Sequence, residues 1–363
     1  MNRRDFLWST GVAFAGLTLS KPELSFGEQQ SSDAWRMFEV TTRVEVLKPV
    51  GETKVWLPAA LIQSTPFQRT ASNRFSAEGG QAKLIKSSNP QALGIVDATF
   101  PAGVRPVVTL SSQVALKNYS VDLSKPGNAR PLRSSQVASF LQPTQHIPTD
   151  GIVKSTAVDA TKGAKTDMEK AQAIYDWIVD KTFRDPKVRG CGRGDIRFML
   201  ESGYLGGKCA DLNALYVGLA RAAGLPARDV YGIRVAKSEL GYKSLGASSE
   251  KITKAQHCRA EVYLTQFGWV PVDPADVRKV VLEEPPGNRP LNDEMVTSAR
   301  KRLFGSWEMN WMAYNFAQDI ELPGSGGAKV NFLMYPQAQT AEGILDSLDP
   351  DNFKYEITAR ELS

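Results

Sequence analysis

The stretch from Gly206 to Pro226 constrains this chain most. Gly206-Gly207-Lys208 leads into Cys209, after which Leu212, Leu215, Tyr216, Leu219 and Ala222 recur at helical spacing. That period predicts an amphipathic helix opening at the cysteine. Gly224 suits the left-handed position that ends a helix, and Pro226 stands where the helix cannot continue. Residues 229–235 then read as a strand. Residues 257–264 and 269–273 read as a hairpin turning at Thr265-Gln266-Phe267-Gly268. Whatever the fold, it must set a cysteine at a helix entrance close to a two-stranded ribbon.

The rest of the chain divides around this segment. Phe38, Val40, Val44 and Val46 alternate with polar residues as a strand, Pro49-Val50-Gly51-Glu52 turns, and residues 54–57 begin a returning strand. Residues 61–100 are less regular. Residues 104–110, 113–116 and 120–123 are further short strands, and 124–133 is a loop. Helical spacing returns at 151–160 and 167–181, the latter with Asp167 as its cap. An irregular segment, 183–207, holds Cys191-Gly192-Arg193-Gly194-Asp195. After residue 301 the pattern is again β-rich, with strands at 329–334 and 353–358.

Composition removes several function classes. The 363 residues carry 44 basic and 39 acidic side chains, a formal charge of +5. With no basic run interleaved with aromatics, nucleic acid is not an expected partner. No glycine-rich phosphate loop is present, so no nucleotide is expected. Three cysteines are too few for a disulfide scaffold. Two histidines mean that any imidazole chemistry must use His146 or His257.

Residues 1–27 read as an address. Arg3-Arg4 precede Phe6-Leu7, and the apolar run 12–19 is too short to span a bilayer comfortably. Paired arginines followed by Phe-Leu resemble the twin-arginine export signal. Ser25-Phe26-Gly27 offers small residues for cleavage before Glu28. A periplasmic or otherwise exported protein is expected, with no stable membrane span after signal removal.

Three residues carry candidate chemistry. Cys209 opens the helix, where free N–H groups and the helix dipole favour thiolate and can receive an oxyanion. A small buried cysteine there is the bland alternative. His257 lies on a strand whose alternation puts Arg259 and Glu261 on its face and Cys258 on the other. Its rival His146 lies in a loop-like stretch. Asp273 falls on the partner strand, opposite His257 to within about three residues. There it can fix the imidazole tautomer, or merely turn the chain before Pro274. Nucleophile, base and orienting acid in that order suit acyl transfer.

Gly207-Lys208-Cys209-Ala210-Asp211, the run from Ala220 to Arg228, and the segments HCRAEVYL at 257–264 and GWVPVDP at 268–274 resemble the transglutaminase-like superfamily. The resemblance covers roughly residues 145–280. It implies an α+β fold with a papain-like, transglutaminase-like core and an antiparallel sheet, flanked by β-rich regions at 33–135 and 281–363. It carries the nucleophile onto Cys209, the general base onto His257 and the orienting acid onto Asp273. Many members follow the histidine with Ala-Trp, where this chain has Cys258-Arg259. The upstream donor to the oxyanion is not evident, and Tyr204 is its candidate.

The expected function is a thiol-dependent enzyme acting on peptide or side-chain amides of a protein or peptide substrate. Water as acceptor gives a peptidase or amidase, and an amine gives a transglutaminase. No cofactor is expected. The alternative is a non-catalytic binding module that keeps the fold. A zinc site of Cys191, Cys209, Cys258 and His257 is a third reading, disfavoured by spacings that match no compact zinc pattern. If Cys209 stays free in an oxidising compartment, Cys191 and Cys258 form a candidate disulfide, with Cys258 turned away from the nucleophile.

Overall fold

The computed structural model describes residues 34–87, 91–127, 129 and 131–362. The export-signal reading of residues 1–27 lies outside the described residues.

The helix Cys209–Ala222 is central. All fourteen of its residues are buried. The sequence predicts a one-sided apolar stripe, but the polar positions also point into protein, and each is satisfied there. Arg221, for example, donates through Nε to Ala227 O at 2.9 Å. A helix covered on every side is a core helix rather than a surface one. It ends as predicted, with Gly224 at φ 88°.

This helix packs on a four-stranded antiparallel sheet ordered Gly268–Val272, Gln256–Leu264, Ala227–Arg234, Trp311–Asn315. The hairpin forms where the alternation places it, with Ala260 opposite Val272 and Leu264 opposite Gly268. Helices Gly151–Ala160 and Asp167–Lys181 close the core around the central helix. The cap of the latter is Thr166, not Asp167. Thr166 Oγ1 accepts from Glu169 N at 3.2 Å, and Glu169 accepts from Thr166 N at 3.0 Å. The reciprocal pair satisfies two free donors where a lone Asp167 would satisfy one.

The flanking strands form two further sheets. One runs Phe353–Leu362, Arg36–Val46, Val107–Leu116, Gln68–Glu78; the other runs Gly343–Ile344, Gln337–Thr340, Thr53–Pro58, Leu93–Phe100, Gln81–Ser87. They share a core of Val44, Val55, Leu57, Val96, Phe100, Leu110 and Phe353, as stacked sheets do. The strand after the turn at Pro49-Val50-Gly51 does not return along Arg36–Val46. It pairs instead with Leu93–Phe100, Val55 opposite Ala98. Both its faces are covered, Val55 and Leu57 on one side and Trp56 on the other, so it sits inside the second sheet. Before the last strands, residues 281–363 also supply the helix Glu294–Arg302 and the sheet strand Trp311–Asn315.

Candidate functional site

The glycine-flanked segment 190–194 is folded onto the entrance of the central helix by one buried side chain. Asp211 Oδ1 accepts from the N–H groups of Arg193 and Gly194, both at 2.9 Å, and its Oδ2 accepts from Lys208 N at 2.9 Å. Ala210 N donates to Cys191 O at 2.9 Å. Gly192 has φ 96°, and a Cβ there would lie 1.9 Å from Asp211 Oδ2, so only glycine fits the wrap. Cys209 is the first helical residue. Its N–H has no partner among the described residues, which leaves a donor free where an oxyanion would form.

Cys209 is 4% exposed and lines a cleft of about 670 Å³ that also reaches His257. His257 Nε2 lies 2.7 Å from Asp273 Oδ2 and 3.4 Å from Asp276 Oδ1. The ring also meets the Cys209 thiol, for which Nδ1 is the nitrogen left. Asp273 is fully buried and caps the helix Pro274–Glu283, its Oδ1 accepting from Asp276 N at 3.1 Å. Asp276 is held by both carboxylate oxygens to Arg234, at 2.6 and 2.8 Å.

Charge follows these contacts. The neighbouring Cys191 side chain, then that of Cys258, outweighs burial and holds Cys209 well below the ordinary thiol value of 9.0, with His257 adding to the effect. Cys191 and Cys258 are pushed well above it, Cys191 by its neighbour Cys209 and then by burial, Cys258 by burial and then by Cys209. Burial pushes His257 down, but Asp276 and then Asp273 overcome it, and the ring sits above its ordinary 6.5. Asp273 is raised by burial and by the charge of Asp276. For Asp276, burial is outweighed by Arg234 and His257, which hold it well below the carboxylate range. A depressed thiol beside a raised imidazole is the condition for a thiolate–imidazolium pair.

The structure therefore brings together Cys209, His257 and Asp273. It corrects the readings of the other cysteines. Cys258 does not turn away: its strand face packs on the central helix, and its thiol meets Cys209. The candidate Cys191–Cys258 disulfide is absent, all three cysteines being free thiols. Cys209 is the neighbour both thiols share, and the Cys191 sulfur donates to Gln256 O at 3.3 Å. The cysteines form no compact ligand set. The group whose ligating atoms lie within 4.8 Å of one another, among the described residues, is His257, Asp273 and Asp276. Arg234 already occupies both Asp276 oxygens, so that group is bound to protein partners. His146 lies in a separate surface groove, 3.7 Å from Asp195. Tyr204 is 53% exposed and donates to Asp185 at 2.9 Å. It does not line the cleft.

Several residues escaped the sequence reading. Asn213 donates to Asp273 Oδ1 at 3.2 Å and to Cys258 O at 2.8 Å. Its place four residues after Cys209, on the same helix face, was the available signal. Trp311 Nε1 donates to His257 O at 2.8 Å. Arg259 lies 4.7 Å from the Trp311 ring and 3.7 Å from Asp273 Oδ2.

A family model of the transglutaminase-like superfamily matches residues 154–274. An uncharacterized protein of Haemophilus influenzae is 35% identical over 352 residues, spanning 90% of this chain and 92% of that protein. Among solved structures, a candidate cysteine protease from Cytophaga hutchinsonii aligns over 90% of this chain and 98% of its own, with TM-score 0.51 and 14% identity. The periplasmic domain of TgpA from Pseudomonas aeruginosa aligns over 71% of this chain and 92% of its own, with TM-score 0.35 and 14% identity. On the family-model match and the 35% identical relative, the chain belongs to the transglutaminase-like superfamily.

Proposed function

We propose that the chain is an exported, thiol-dependent acyl-transfer enzyme acting on peptide or side-chain amides. Cys209 is the nucleophile, His257 the general acid and base, and Asp273 the residue that orients the ring. One observation carries this reading: the His257 ring pairs with Asp273 at 2.7 Å and shares the lining of one cleft with Cys209 at the start of the central helix.

The Cys209 thiolate attacks the amide carbonyl carbon and a C–S bond forms. The oxygen takes the negative charge beside the Cys209 N–H. As the C–N bond breaks, the His257 imidazolium passes its proton to the leaving nitrogen. Water then attacks the thioester and His257 takes its proton. The C–S bond breaks, and the sulfur leaves as thiolate beside imidazolium. An amine in place of water gives transamidation. Asp273 keeps Nδ1 aimed at sulfur and supports the positive ring. Export rests on the paired arginines and apolar run of residues 3–19. It is compatible with the absence, among the described residues, of any helix long and apolar enough to cross a membrane.

The test is turnover of a mixed peptide library by the wild-type chain and Cys209→Ala, with and without a primary amine. Amide cleavage that vanishes in the variant supports the reading. Equal turnover by both chains overturns it.

A further inference from the structure

Resting on the thiol chemistry just proposed, we infer that the acyl donor is an acidic peptide, with carboxylates close to the reacting amide. The cleft beside Cys209 has 24 lining residues. Seven are Lys or Arg and, among the described residues, none is Asp or Glu. The whole chain is nearly balanced, with 44 basic and 39 acidic residues, so this one-sidedness belongs to the cleft.

The cations differ in how far they are already answered. Arg234 is buried and neutralised by Asp276. Arg189 and Lys251 pair with Asp346 and Glu356, which lie outside the lining. All four side chains are at least 48% exposed, and exposed pairs hold weakly enough to exchange partners. Arg184 and Lys279 share the single carboxylate of Glu283. Lys208 and Lys254 have no carboxylate within 4.0 Å among the described residues, although Asp185, bound to Tyr204, acts on Lys208 from farther off. The unanswered charge is therefore positive. Lys208 immediately precedes the nucleophile, within reach of whatever flanks the reacting carbonyl.

A concave site lined by one sign concentrates field on its ligand and raises the rate of encounter with the opposite sign. The same lining includes Leu348, Phe353, Tyr335 and Tyr355, which suit the uncharged parts of a peptide. At about 670 Å³ the cleft holds a short segment, not a polymer duplex.

The test uses fluorescent peptides of one length that differ only in Glu, Gln or Lys around a central amide, bound to the full chain carrying Cys209→Ala. The Glu peptide should bind about tenfold more tightly than the Gln peptide, and the Lys peptide more weakly than either. The advantage should shrink as salt rises to about 0.5 M. Lys208→Gln or Lys254→Gln should cut the Glu-to-Gln preference by about threefold. Should Cys209→Ala not fold, the salt dependence of wild-type kcat/KM on the same peptides gives the same reading. Equal binding of the three peptides, or tighter binding of a short single-stranded DNA, overturns the inference. Turnover without a Glu preference overturns it and leaves the thiol chemistry standing. Glu-selective binding without turnover supports the anion site and overturns the enzyme reading.

Discussion

His257 Nε2 stands 2.7 Å from Asp273 Oδ2, while the other oxygen of the same carboxylate caps the helix that begins at Pro274. One buried side chain thus fixes both the ring and the backbone that presents it.

The two roles separate by substitution. Asn is as good a helix cap as Asp but cannot support an imidazolium. Asp273→Asn should lower amide turnover by about 10²- to 10⁴-fold with little change in Tm. Asp273→Ala should lose the same activity and also about 1 kcal/mol of stability from the cap. Steady-state kinetics and thermal unfolding of both variants check this.

The pH profile follows from two shifts of opposite sign. Cys209 is depressed, so thiolate is present at pH above a value lower than 9.0; His257 is raised, so imidazolium persists to pH above 6.5. The ion pair occupies the window between, and both limbs belong to the coupled pair. A plot of kcat/KM against pH should be bell-shaped, with its acid limb below the ordinary thiol range. Asp273→Asn removes a carboxylate that raises His257, so its alkaline limb should move to lower pH.

The wrap of residues 190–194 is testable at Asp211. Replacing Asp211 with Ala leaves the N–H groups of Lys208, Arg193 and Gly194 without their acceptor, at a cost on the order of 3 kcal/mol. Gly192→Ala meets Asp211 Oδ2 at 1.9 Å and should also fall in Tm. Both should slow alkylation of Cys209, because the segment carries the Cys191 thiol that supports the thiolate. Unfolding midpoints and alkylation rates decide it.

The helix start at Cys209, its end at Gly224 and the hairpin around 266 were legible because each rests on local period or turn chemistry. The placement of Asp273 near His257 followed from hairpin register alone. What was not legible depends on contacts distant in sequence. Trp311 reaches His257 across 54 residues, and Thr53–Pro58 chooses Leu93–Phe100 over its neighbour. Strands Gln68–Glu78 and Gln81–Ser87 are half exposed and polar, so their alternation is faint. The orientation of Cys258 was misjudged because alternation says which residues share a face, not which face the helix covers.

Export is testable outside the described residues. Changing Arg3-Arg4 to Lys-Lys should retain the chain in the cytoplasm, measured by fractionation of cells expressing it. Normal export of that variant contradicts the twin-arginine reading.

The central claim is that Cys209, among three buried thiols, carries the thiolate. Alkylation of the wild-type chain by iodoacetamide near neutral pH, with sites mapped by mass spectrometry, tests it most directly. The account predicts fast labelling of Cys209, with Cys191 and Cys258 slow, and loss of the fast phase in Cys209→Ala. Fast labelling of Cys191 or Cys258 in the wild-type chain, or an undiminished fast phase in the variant, would contradict it.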